Sequence, residues 1–443
     1  MNFKETIYAV SSGVGRAAVC VIRISGSRTK DIIQAFCGNL PLPARIMQLY
    51  ALHDPDDGIF LDRALVVFFE SPRSFTGEDS AEFHIHGSLA VRKAVLNALS
   101  RQQNCRPAEK GEFTQRAFLN GKMDLAQVEG LADLIDSETE QQRLQAVRQM
   151  DGLLGRSVTQ WREILLKALV LIEGSLDFSD EEDLADNVTD LLIPLLTSLK
   201  GDFERVLKNR TGERIRESFS VVLAGKPNAG KSSLLNALAR RDIAIVSDIP
   251  GTTRDILEAH CDLDGYPVIF SDTAGLRHAE NVIEHEGISR AQKRIEEADI
   301  VLWLIAPDVT TTDQEMKIAP EIPGSVIRIA TKCDITTPDY PVDISISVKT
   351  GENIDRLLDL IRNRIDQSID HGEVLLTRER HRIAVQKALD CLDNALLQIK
   401  VDGPQELIAE DLRMISRYLE SLTGMIDVED ILDELFSSFC IGK

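Results

Sequence analysis

The spacing of apolar positions changes character three times along the chain. Up to about residue 118, short apolar runs end in glycine or polar turns. Residues 18–24 (Ala-Val-Cys-Val-Ile-Arg-Ile) predict a strand stopped by Ser25-Gly26, and residues 64–69 predict another. Residues 89–99 carry helical spacing ahead of Pro107. Together they predict a small α+β domain over 1–118.

From residue 119 the period becomes helical. Leu125, Val128, Leu131, Ala132, Leu134 and Ile135 recur at threes and fours, and Leu144, Val147 and Met150 continue the series. Residues 161–176 and 191–207 repeat it, separated by the acidic stretch 177–183, which reads as a solvated loop. Over 215–369 strands and helices alternate. Residues 220–224, 268–271, 300–305 and 326–330 predict buried strands, and Lys231–Ala239 predicts a helix. That order implies a mostly parallel sheet covered on both faces. Helical spacing returns over 370–443, through Ile383, Val385, Ala388, Leu389 and Leu392, then residues 412–422 and 428–439. The simplest architecture is an α/β domain (215–369) inserted into an all-helical domain (119–214 and 370–443) and preceded by the α+β domain.

Composition narrows the class. At 443 residues, 43 % hydrophobic and 27 % charged, the chain reads as a soluble multidomain protein. No apolar run approaches the roughly 18 residues that cross a bilayer, and the N-terminus shows no signal-peptide pattern, so a cytoplasmic setting without a membrane is expected. Seven scattered cysteines (Cys20, Cys37, Cys105, Cys261, Cys333, Cys391, Cys440) form no Cys-x-x-Cys pair, which argues for reduced thiols. Fifty basic residues against 71 acidic ones leave a charge of −21. Bulk charge therefore repels nucleic acid, and any RNA must be held by a local patch or a partner.

The chemistry concentrates in the α/β segment. Gly225-Lys226-Pro227-Asn228-Ala229-Gly230-Lys231-Ser232 fits G-x-x-x-x-G-K-[ST] between a strand and a helix. Its backbone N–H groups suit phosphates, Lys231 the β and γ phosphates, and Ser232 a Mg²⁺ ion. Asp272-Thr273-Ala274-Gly275 follows a strand, placing a carboxylate for the magnesium shell and a glycine N–H for the γ phosphate. Gly251-Thr252-Thr253-Arg254-Asp255 lies between the two. Thr331-Lys332-Cys333-Asp334 ends a strand, with Asp334 suited to the guanine N–H donors and Lys332 to the base face; Ser347-Val348-Lys349 belongs near the guanine O6. Asp334 selects guanine over adenine, so the expected ligand is GTP, bound by Asn228, Ala229, Gly230, Lys231, Ser232, Thr252, Thr253, Asp272, Thr273, Ala274, Gly275, Thr331, Lys332, Asp334, Ser347 and Lys349, to which a family resemblance adds Ser233 and Ser247. His84 and His86 invite a metal reading, but no third ligand lies nearby in sequence.

These motifs resemble the tRNA-modification GTPase family MnmE, also called TrmE. The resemblance rests on the phosphate loop through Ser233, on Gly-Thr-Thr-Arg-Asp, and on Asp-Thr-Ala-Gly-Leu-Arg. It extends to Phe75-Thr76-Gly77-Glu78-Asp79, to residues 113–122 and 130–136, and to the terminal Cys440-Ile441-Gly442-Lys443. One departure is Thr331, where the family usually carries asparagine.

The resemblance implies a folate-binding-like N-terminal domain that takes 5-formyl-tetrahydrofolate or a related folate through Arg23, Glu82, Lys122 and Lys443. It implies a potassium ion held by Asn228, Ser247, Ile249 and Thr252, with Thr253 joining Ser232 on Mg²⁺. Leu276 stands where a Ras-like GTPase has its glutamine, and Glu284 aligns with the family's water-orienting glutamate. Catalysis is thus assigned to Glu284, Lys231 and Asn228. The implied partners are a second copy of the chain, tRNA, and an FAD-containing MnmG (GidA) protein in a heterotetramer or larger assembly. FAD belongs to that partner, since this chain has no Gly-x-Gly-x-x-Gly after a strand. The expected product is an aminomethyl-type group on a wobble uridine. A regulatory or ribosome-assembly GTPase is the alternative, because the α/β motifs occur there too.

Overall fold

The computed structural model describes all residues except 1–4, 14, 39–42, 178–181, 242, 246–257, 273–292, 308–324, 337–340, 371, 373, 425–431, 433–434, 437–438, 440 and 443. Its contacts define two units: residues 1–132, 155–160 and 417–443, and residues 133–154 and 161–416.

In the first unit the chain runs β1 (Thr6–Val10), β2 (Val19–Ser25), α1 (Thr29–Cys37), β3 (Gln48–His53), β4 (Phe60–Phe69), β5 (Ser80–His86), α2 (Leu89–Ser100), β6 (Cys105–Pro107) and α3 (Glu112–Leu119). The six strands form one sheet in the order β3-β4-β5-β2-β1-β6. Period-two alternation explains its core. Cys20, Ile22 and Ile24 of β2 and Phe83 and Ile85 of β5 enter one cluster with Ile33 and Phe36 of α1 and Val95 and Leu99 of α2. Ile7, Ala9, Ala108 and Phe113 form a smaller apolar cluster. The end of the chain returns here. Ile441 makes an antiparallel bridge with Lys110, and Gly442, at φ +103°, lies so near Val10 that a Cβ would collide with its carbonyl oxygen.

Helices α4 (Leu125–Asp136), α5 (Glu140–Met150), α6 (Leu153–Asp177), α7 (Glu182–Lys208) and α8 (Thr211–Glu217) follow. Thr139 and Gln142 form a capping box that starts α5. The α6 helix meets α7 through Trp161 and Phe203, edge to face at 5.1 Å. The acidic break predicted over 177–183 is shorter than expected, since α6 includes Asp177 and α7 resumes at Glu182; residues 178–181 lie outside the described residues.

The α/β part comprises β7 (Phe219–Gly225), α9 (Lys231–Ala239), β8 (Glu258–Leu263), β9 (Tyr266–Asp272), β10 (Ile300–Ile305), β11 (Ser325–Ala330), β12 (Ile344–Ser345) and α10 (Ile354–Ser368). The strand order is β12-β11-β10-β7-β9-β8. All neighbours are parallel except β8, which pairs antiparallel with β9. Asp264 (φ +49°) and Gly265 (φ +92°) make the tight turn between β8 and β9. Beyond that turn, Gln141 N–H at the start of α5 donates to Gly265 O at 3.1 Å.

Two further helices, α11 (Glu379–Lys400) and α12 (Gln405–Thr423), follow among the described residues. The helix expected over 428–439 lies mostly outside the described residues. The α/β part leaves and rejoins the helices at one place. Asp370 N–H donates to Thr211 Oγ1 at 3.0 Å, and Gly212 packs so closely on the Leu376 carbonyl that no side chain would fit. Arg382 of α11 is buried there between Glu213 (2.7 Å) and the carbonyls of Leu207 and Asn209. The chain therefore has an α/β domain inserted into helices and preceded by an α+β domain.

Candidate functional site

Strand β7 and helix α9 are joined by a loop whose backbone curls because three of its residues have positive φ: Gly225 (+142°), Asn228 (+64°) and Gly230 (+95°). At Gly225 the reason is also steric, since a Cβ would strike Leu304 O of β10. Gly230 caps α9, whose first-turn N–H groups face out of the helix without intrahelical acceptors. Lys231 is 6 % exposed. Its ammonium curls back into the loop and donates to Gly225 O (2.8 Å) and Lys226 O (3.0 Å). The result is a concave, positively polarised cradle of a size and charge suited to phosphates.

At its mouth Ser232 Oγ donates to Asp272 Oδ2 at 2.7 Å. Asp272 ends β9 and is buried, whereas Ser232 is exposed. A hydroxyl and a carboxylate side by side are hard oxygen donors, a set that fits Mg²⁺. Asn228 is exposed on its left-handed residue, with a carboxamide available to a cation.

The second cluster ends β11. Thr331 is buried and donates its hydroxyl to Ala229 O at 2.8 Å, with Ile305 O at 3.3 Å. Lys332 adopts φ +57°. Asp334 is exposed, and its Oδ1 accepts from Ser347 Oγ at 2.7 Å; Ser347 itself is fully buried, which fixes the carboxylate. Cys333, between them, has its thiol pKa raised, first by burial and then by the Glu352 carboxylate, so it remains a thiol at neutral pH.

The loop after β7, Asp272 at the end of β9, Thr331 to Asp334 after β11 and Ser347 to Lys349 after β12 all stand at the carboxyl ends of parallel strands, with neighbours of β7 reached in opposite directions along the sheet. Open parallel sheets bind ligands at such a position. The structure thus brings together Asn228, Ala229, Gly230, Lys231, Ser232, Ser233, Asp272, Thr331, Lys332, Asp334, Ser347 and Lys349. Ser247, Ile249, Thr252, Thr253, Thr273, Ala274, Gly275 and Glu284 lie outside the described residues.

A separate constellation occupies the N-terminal sheet. Arg23 and Glu82 are cross-strand partners on β2 and β5 and form an ion pair at 3.0 Å. The Arg23 guanidinium lies 5.5 Å from the Phe75 ring centre and 5.8 Å from that of Phe113. Lys122 is exposed and donates to Pro72 O at 3.1 Å, while its stem lies beside Gly77. The segment carrying Phe75 is held by Asn120 Nδ2 on Thr76 O (2.7 Å) and by buried Arg116 on Glu78 (3.0 Å). An acid, a cation and aromatic rings in one place suit a flat, polar heterocycle. Lys443 lies outside the described residues, but Gly442 packs on Val10, one position along β1 from Ala9, the strand partner of Arg23.

His84 and His86 go to different carboxylates, Glu82 at 3.3 Å and Asp62 at 2.7 Å. Among the described residues no group of three potential ligands is placed for a metal. No local periodicity signals the approach of Phe113 to Arg23 or the Thr331 tether to Ala229.

Comparison with known proteins accounts for nearly the whole chain. The family described as GTP-binding protein TrmE N-terminus matches residues 6–122, and the MnmE helical domain matches residues 125–440. A tRNA modification GTPase MnmE from Methylobacterium sp. is 49 % identical over 445 residues, covering 99 % of this chain and 100 % of that protein. The proteins of the same description from Methylorubrum populi (48 %, covering 99 % and 98 %) and Roseobacter denitrificans (47 %, covering 99 % and 100 %) are equally similar in extent. With the phosphate loop, its acidic partner and the base-reading loop assembled on one sheet, and with identity running from end to end, the chain belongs to the MnmE family of tRNA modification GTPases.

Proposed function

We propose that this GTPase of tRNA modification is potassium-dependent and works with a tetrahydrofolate and an FAD-containing partner of the MnmG (GidA) kind. GTP occupies the cradle of residues 225–233, with its base on Lys332 and Asp334. Mg²⁺ is held by Ser232 and Thr253, beside Asp272. K⁺ is held by Asn228, Ser247, Ile249 and Thr252 and supplies countercharge to the phosphates when bound. Glu284 orients the attacking water. The observation that carries the reading is the 2.7 Å bond between Ser232 and Asp272 at the mouth of a left-handed phosphate loop, because it joins the two oxygen donors that a magnesium nucleotide needs.

In the N-terminal domain, Glu82 and Arg23 take the pterin of 5-formyl-tetrahydrofolate, with Lys122 and Lys443 on its acidic tail. The paired charge and the flanking Phe75 ring support this assignment. The chain acts as a homodimer in the cytoplasm, and the partner supplies the basic surface that a charge of −21 denies it. Together they form an aminomethyl-type group on a wobble uridine.

The test is mass spectrometry of wobble nucleosides from a strain lacking the protein. Loss of the modified uridine, restored by the unmutated gene, is expected. Normal wobble uridines alongside immature ribosomes would overturn the reading in favour of an assembly GTPase.

A further inference from the structure

We infer that Thr331 determines how this chain reads guanine: its hydroxyl ties the base-reading loop to the phosphate loop, and position 331 leaves the N7 edge of the base unread. The inference rests on the GTP-binding reading above. Thr331 is 3 % exposed. Its N–H donates to Ile305 O at 2.8 Å, and its one hydroxyl proton faces two carbonyls, Ala229 O at 2.8 Å and Ile305 O at 3.3 Å. Both hydrogens that residue 331 can donate are therefore committed to backbone.

Guanine presents donors at N1 and N2 and acceptors at O6 and N7. Asp334 accepts only, so it suits the donor edge. N7 requires a donor. An asparagine at 331, usual in the family, has two amide hydrogens and can hold Ala229 O with one while offering the other to the base. Threonine has a single hydrogen and cannot do both. Adjacent backbone donors are also engaged, Cys333 N–H by Ile346 O and Ser347 N–H by Glu352 O, each at 3.1 Å. Thr331 preserves the mechanical half of the asparagine's role and drops the recognition half.

The test compares GTP with 7-deaza-GTP, in which a C–H replaces N7, by competition binding to the full-length chain with Mg²⁺. The unmutated protein is expected to bind the two within about two-fold. Thr331→Asn should tighten GTP by about three- to ten-fold, the worth of one hydrogen bond, with no gain for 7-deaza-GTP. Thr331→Val should weaken both nucleotides by a similar factor through the lost tether, and Thr331→Ser should restore them. A preference for GTP over 7-deaza-GTP of about five-fold or more in the unmutated protein would overturn the inference, as would an equal gain for both ligands in Thr331→Asn. Absence of GTP binding by the unmutated chain would instead overturn the nucleotide reading, and this inference with it.

Discussion

Ser232 and Asp272 are 40 positions apart in sequence, yet the serine hydroxyl donates to the carboxylate at 2.7 Å. Ser232 lies in the first turn of helix α9 and Asp272 ends strand β9, so parallel pairing of β7 with β9 brings them together. Asp272→Asn keeps the shape and removes the charge. The Mg²⁺ concentration for half-maximal GTP hydrolysis should rise at least ten-fold, and turnover should fall on the order of a hundredfold, as expected when several kcal/mol of metal-derived stabilisation are weakened. Turnover and Mg²⁺ dependence equal to the unmutated enzyme would exclude Asp272 from the metal shell.

Asn228 combines a left-handed backbone with an exposed carboxamide. Replacing it by alanine would mix lost ligation with strain, whereas Asn228→Gly removes only the side chain. This variant should lose the acceleration of hydrolysis by K⁺ over Na⁺ and keep GTP affinity within a few-fold. Identical rates in the two salts for the unmutated protein would rule the potassium site out.

Asp334 is held by buried Ser347. Asp334→Asn should exchange guanine for xanthine preference, because the amide can donate where xanthine carries a carbonyl. The swing in the GTP-to-XTP affinity ratio should be on the order of a hundredfold, the scale of charge-assisted hydrogen bonds gained and lost. Competition binding with both nucleotides decides it, and a retained GTP preference would mean the base is read elsewhere.

Much of this was legible in sequence, for a physical reason. A phosphate loop needs glycines at fixed spacing between a strand and a helix, and helix α9 over Lys231–Ala239 follows from that local rule. Strand β8 escaped, because Ala259, Cys261 and Leu263 alternate with polar residues too weakly to stand out, although Asp264-Gly265 is a hairpin signal. The Arg23–Glu82 pair depends on strand register across 59 residues, which no local pattern encodes. Those residues entered through family resemblance alone. Thr331 was visible as a departure from the family pattern, but its tether to Ala229 needed the fold.

Gly442 offers a test of the chain's end. A side chain there would collide with the Val10 carbonyl, and φ +103° adds backbone strain. Gly442→Ala should lift the terminal residues from β1 and weaken 5-formyl-tetrahydrofolate binding by about ten-fold, the lower range for losing a charge-assisted contact from Lys443. Calorimetric titration measures this, with GTP binding by the same sample as a check on folding. Unchanged folate affinity would place the tail's role on the partner or the tRNA.

The paired connections at Thr211 and Asp370 have a consequence for the order of folding. Their bond spans 159 residues, and closing an unstructured loop of that length costs about 4 to 5 kcal/mol in chain entropy. Once the α/β domain has folded, its two ends are already neighbours and most of that cost disappears. The buried Arg382–Glu213 pair, which joins helices from both sides of the insertion, can then form across a gap that is short in space. An inserted domain that closes on its own would therefore spare the flanking helices most of the cost of meeting across 159 residues.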